Sequence, residues 1–320
     1  MSTNDISIIG ERFVFEHYPK LFRRLRIMKT RWNTISPGLP YTEGADIEAW
    51  TYPIGWPENG FSGFTEPETD ISNIRIVEGP IEVKTSRFNQ YIAFDNPKVD
   101  KICGALPFPI WNSYKDDPLR ARLGNLYRMF YPKDNKKERQ PLAYVAVFLD
   151  TTKRPYAALV FEDFLALKER LIEIGKECGL DLTEEGMNKI PCEQELKGWV
   201  STRDWMNKMM EDNPRLLLMA EMWYVKMSEV IDLATVVLIG DPPRSPRSSG
   251  GIISCPKQVQ ESRWNYLKEH RCGNPIPLVA DDETKAIIQQ GNHLFEWFKN
   301  NVPLIQDETT GETEKRLLFL

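Results

Sequence analysis

Long hydrophobic runs are missing from this chain. No stretch of 18 or more apolar residues occurs in its 320 positions, which excludes a membrane-spanning helix of ordinary length. The opening MSTNDISIIGERFVF places no basic segment before an apolar one. No secretory leader is expected, and a soluble, cytoplasmic chain is. Cysteine is sparse: Cys103, Cys178, Cys192, Cys255 and Cys272, with no C-x-x-C pair. An odd, scattered set argues against a disulfide frame and a zinc finger, and suits a reducing compartment. Histidine is scarcer still. His17, His270 and His293 form no H-x-H or H-E-x-x-H pattern, and His270 and Cys272 with Cys255 match no standard zinc spacing. The glycine-rich loops of nucleotide binding and the G-x-S-x-G elbow of serine hydrolases are absent too.

Positive charge is not in excess. There are 41 Lys and Arg against 46 Asp and Glu, a net −5. The balance is uneven: residues 1–155 hold 22 basic against 19 acidic residues, and the remainder 19 against 27. An acidic whole does not demand a nucleic-acid partner, but the basic front half is where one would sit.

What is present is a polypeptide that is 41% hydrophobic and 27% charged, ordinary for a globular protein and long enough for one large or two smaller domains. Residues 11–32 alternate Arg and Lys with aromatics and read as helical in their middle. Residues 33–69, rich in Pro, Gly and Trp, read as loop around a short strand at 47–52. Residues 143–150 and 156–160 are apolar strands, and 91–95 reads as another. Residues 161–178 carry an amphipathic period that Gly179 ends. From 183 to 235 the Trp- and Met-rich sequence reads as mostly helical, followed by a β-branched run at 235–239. The polar stretch 241–251 reads as a long loop, and helices are expected near 257–270 and 282–300. These readings give an α/β domain over 1–180, with a basic N-terminal helix, and a mainly helical accessory or recognition domain over 181–320.

The stretch from Asp70 to Thr85 carries the chemistry. It reads as a strand near 71–77, a turn at Glu78-Gly79-Pro80 and a second strand at 81–85. Alternation places Glu82 and Lys84 on one face and Ile81 and Val83 on the other. An acid, Asp70, lies twelve residues before Glu82. Asp46, in GADIEAW, is a rival for that first acid. Elsewhere Glu-x-Lys recurs at Glu195 and Glu283, in expected helices.

The order Asp, turn, strand with Glu-x-Lys resembles the PD-(D/E)XK nuclease superfamily, over roughly residues 65–175. The resemblance implies a restriction-endonuclease-like core, a mixed central β-sheet flanked by helices. It also implies metal-dependent phosphodiester hydrolysis of nucleic acid, DNA above all. Asp70 and Glu82 would hold Mg²⁺ or Mn²⁺, helped by the Val83 carbonyl, and Lys84 would be the catalytic amine. A homodimer or a larger nucleoprotein assembly would fit such an enzyme, and a membrane would not.

Two basic and aromatic stretches could grip a phosphate backbone. The first holds Arg23, Arg24, Arg26, Lys29 and Arg31. The second holds Arg120, Arg122 and Arg128, and Arg87 follows the Glu-x-Lys strand. Solvated helix faces would look the same. Two other readings therefore stand beside the nuclease: a non-catalytic nucleic-acid-binding protein, and an assembly protein using the Trp/Met-rich second half.

Overall fold

The computed structural model describes residues 4–33, 46–52, 76–87, 105–109, 125–132, 139–150, 152–189, 208–213, 218–219, 222–244 and 257–301. A mixed six-stranded sheet organises them. Helix α1 (Asn4–Leu21) leads into strand β1 (Ile27–Trp32), which pairs antiparallel with β2 (Ile47–Thr51). Strand β2 pairs antiparallel with β3 (Glu78–Arg87). The chain then builds β4 (Ala105–Pro109) and the short helix α2 (Asn125–Phe130) before β5 (Ala143–Leu149) enters parallel to β3. Strand β6 (Pro155–Phe161) is antiparallel to β5, and helix α3 (Phe164–Glu177) follows.

Helix α4 (Glu184–Asn188), strands β7 (Leu218–Met219) and β8 (Met222–Lys226), and β9 (Thr235–Leu238) come next. Strand β8 lies between β4 and β7 in a separate three-stranded sheet. Strand β9 returns to the large sheet beside β6. Helices α5 (Lys257–Glu269) and α6 (Asp282–Asn301) close the described chain.

Strands β5 and β6 are buried along their whole length, so their alternate side chains feed two cores. Val145, Val147 and Val160 join Val14, Tyr18 and Leu21 of α1 on one face. Tyr144, Phe148 and Phe161 join Leu167 and Leu171 of α3, and Trp223 and Val225 of β8, on the other. The α3 period emerges as read, and Asp163 caps it by accepting the Ala166 N–H at 3.0 Å. Gly179 takes φ +83°, the left-handed stop expected of it.

Three expectations change. Residues 11–32 are not one basic helix: α1 ends at Leu21, and 27–32 is the edge strand β1. Buried Glu162 fixes the intervening turn by accepting the N–H groups of Arg23, Arg24 and Leu25 at 2.6–3.0 Å. Glu78-Gly79-Pro80 is not a turn but the beginning of β3, opposite Trp50, Ala49 and Glu48 of β2. Pro80 is tolerated because it precedes the β3–β5 ladder, which begins at Ile81, and its carbonyl still accepts the Leu142 N–H at 2.8 Å. Gly79 is required because a Cβ there would collide with the Leu142 side chain. Third, the described part of 183–235 includes β7, β8 and the start of β9 beside short helices. The boundary expected at 180 therefore cuts across a shared core and a shared sheet. The strand expected at 91–95 lies outside the described residues.

Candidate active site

Strand β2 begins at Ile47, opposite Ile81, and β3 runs six residues further. The two strands part at that point. Asp46, the residue before β2, fills the gap: its Oδ2 accepts the Val83 N–H at 2.8 Å. A side-chain carboxylate thereby takes the place of the next ladder carbonyl. The N–H and C=O of one strand residue point to the same edge, so the Val83 carbonyl leaves toward Asp46 as well.

Glu82 and Lys84 lie on one face of β3, as alternation predicts, with Ile81 and Val83 buried on the other. The Lys84 ammonium donates to Glu82 Oε1. Both side chains keep contact with solvent, at 16% exposure for Glu82 and 27% for Lys84. On the parallel neighbour β5, Tyr144 stands opposite Glu82 and Ala146 opposite Lys84.

The group is electrostatically tense. Burial pushes the Asp46 carboxyl up to about 7, and the Glu82 charge adds to the rise. Lys84 and the Val83 N–H pull it back, and Glu11 pushes it up further. Burial works against the Lys84 ammonium, but Glu82 and Asp46 outweigh that and raise its pKa above the usual lysine range. Lys84 is therefore charged at neutral pH. It is suited to hold or polarise an anion rather than to take a proton from water.

Glu11 did not stand out in the sequence. It is a buried acid on α1, and its carboxylate accepts the Trp32 indole N–H at 3.1 Å. The signal was there: Glu11 shares a helical face with Val14 and Tyr18, both buried, so an acid stands on an apolar stripe. Gly10 lets the helix come close enough, since a Cβ there would collide with Thr85 of β3. Asn33, just past β1, donates its N–H to the Asp46 carbonyl at 3.1 Å.

The structure thus brings together Asp46, Glu82 and Lys84, with Glu11 behind them. Asp70, Arg120 and Arg122 lie outside the described residues. Arg87 ends β3, which places it on the same strand as the cluster. Lys29 and Arg31 are on β1. Arg24 and Arg26 are exposed in the turn before it. Arg23 donates to the Cys272 carbonyl, a contact within the fold. Arg128 is half-buried on α2, whose Leu126, Tyr127, Met129 and Phe130 all enter the core. Among the described residues no three His, Cys, Asp or Glu side chains form a group that could hold a metal ion. Two carboxylates nevertheless meet the needs of Mg²⁺, which is commonly held by one or two and keeps several waters. No described helix is long and apolar enough to cross a membrane. Compared with known protein families, with curated proteins and with solved structures, the chain has no match in any of the three.

Proposed function

We propose that this protein is a metal-dependent phosphodiesterase acting on nucleic acid, with a PD-(D/E)XK-like core in which Asp46 serves as the first acid. The observation that carries the reading is the seating of Asp46 on the Val83 N–H, beside the Glu82–Lys84 pair. The sheet supports it: β1, β2 and β3 form an antiparallel meander, with β5 parallel to β3 and a helix on each face.

Asp46 and Glu82, with the Val83 carbonyl, would hold Mg²⁺ or Mn²⁺. A divalent ion bound there supplies Lewis acidity and a more acidic water. Asp46 is suited to such a role because its own environment disfavours its charge, and a cation relieves that cost. Lys84, kept charged, faces the phosphoryl oxygens and offsets the charge that builds on them. Glu82 holds the amine in place. Trp32 and Glu11 act behind Asp46: the indole N–H fixes the Glu11 carboxylate, and its charge favours a cation at the site.

The test is cleavage of supercoiled plasmid, single-stranded DNA and RNA with Mg²⁺, Mn²⁺ or EDTA, comparing wild type with Lys84→Ala. The expected result is metal-dependent cutting that falls by about 10³-fold or more in the variant, several kcal/mol at the transition state. Equal cutting by both proteins, or none by wild type, would leave Glu82–Lys84 as an ordinary ion pair on a strand face.

A further inference from the structure

We propose that the groove between β1 and α6 seats a single-stranded segment of the substrate and leads it to the Asp46–Glu82–Lys84 cluster. This deepens the phosphodiesterase reading and rests on it. The groove has a volume of about 590 Å³, and its walls combine Lys29, Arg31 and Lys299 with Trp32, Trp50 and Phe295. The rings already touch one another. Trp32 stacks on Phe15 at 28°, with centroids 6.0 Å apart, and Trp50 meets Phe295 at 5.1 Å, tilted by 52°. Trp32 is only half-buried, so a base can extend the Phe15–Trp32 stack outward.

The cations stand at the rim. Arg31 and Lys299 are exposed, and Arg31 lies 5.8 Å over the Trp50 ring. Lys29 is held at 2.7 Å by Glu296 and sits over Phe295. The one acid among the lining residues, Glu78, has Arg139 at 3.6 Å. In a chain of net charge −5, this is a locally basic, aromatic surface.

That chemistry fits unpaired bases on a phosphate backbone. Rings take any base by its face, and Arg or Lys follow the phosphates. A duplex hides its base faces and would leave the rings unused. The groove also has a direction. Its Glu78 wall belongs to β3, opposite Trp50, and alternation puts Glu78 on the face that carries Glu82 and Lys84 four and six residues further on. A strand lying along that face of β3 therefore continues toward the Glu82–Lys84 pair.

The experiment is fluorescence anisotropy of a labelled oligothymidylate of about twelve nucleotides, against a duplex of equal length. It is done in EDTA with full-length Lys84→Ala, so that no cutting interferes. The same titration is repeated with Arg31→Ala and Lys299→Ala added, and with Arg31→Lys and Lys299→Arg as charge-keeping controls. Both side chains are exposed, so thermal melting is expected to be unchanged. Tighter binding of the single strand is expected. At about 50 mM salt the alanine pair should weaken it about tenfold per charge, and should lower the salt slope by about 1.4. The charge-keeping pair should restore it. Preference for duplex, no binding, or affinity indifferent to the alanine pair would overturn the proposal. Cleavage by wild type is scored separately. Cutting without any effect of the alanine pair removes the groove and leaves the nuclease. Binding without cutting removes the nuclease and leaves the groove.

Discussion

At the scale of single residues, the buried Asp46 carboxyl leaves a mark on stability. Its carboxyl titrates at about 7 in the folded chain against 3.8 for the free group. Between those values the folded state binds more protons than the unfolded state. The stability Asp46 contributes is full below about pH 4 and is lost as pH rises toward 7. Lys84, shifted upward from a value already far above this range, does not titrate in it. Wild type should therefore gain about 1–3 kcal/mol more than Asp46→Asn when pH falls from about 8 to 5. Denaturant unfolding of both proteins at the two pH values measures this, and parallel pH profiles would contradict it. A second consequence concerns metal: millimolar Mg²⁺ at about pH 8 should raise the melting temperature of wild type and leave Asp46→Asn unmoved.

At the scale of elements, two helices approach the sheet through glycine. Gly10 of α1 lies against Thr85, and Gly291 of α6 against the Met28 backbone carbonyl. A methyl group at either position should cost about 1–3 kcal/mol. The two should differ in rescue. Thr85→Ala removes the atoms Gly10→Ala would strike first and should recover part of the loss, whereas no side-chain change clears the Met28 carbonyl for Gly291→Ala. Thermal melts of the single and double variants test this.

The same elements explain what the sequence made legible. Strands β5 and β6 were readable because both faces are buried, which leaves continuous apolar runs, and α3 because one face is. Strand β1 was not, because Lys29 and Arg31 face outward on an edge strand and resemble a helix's solvated face. The first residues of β3 were missed because Gly79 and Pro80 are turn formers by local preference. Leu142 packing over Gly79, and a ladder that begins one residue after Pro80, override that preference. The shared face of Glu82 and Lys84 followed from alternation alone. Asp46 needed the strand pairing to set it beside Val83, and Glu11 needed the packing of α1 on the sheet.

At the scale of the molecule, the second half of the chain completes the first. Strand β9 closes the sheet beside β6, Trp223, Val225 and Met227 fill the α3 face, and α6 packs on β1. A fragment ending near residue 180 should therefore lose cooperative unfolding and expose its α3-side core, which dye binding and calorimetry would report. The proposed active site lies where β2 leaves β3 and α1 crosses, and four ionisable side chains from three segments meet there. The measurement that tests it most directly is the rate of metal-dependent cleavage by Asp46→Asn and by Asp70→Asn, each matched to wild type for folding. The account predicts loss of at least about 10³-fold for Asp46→Asn and near wild-type cutting for Asp70→Asn. Full activity in Asp46→Asn, with activity abolished in Asp70→Asn, would contradict it.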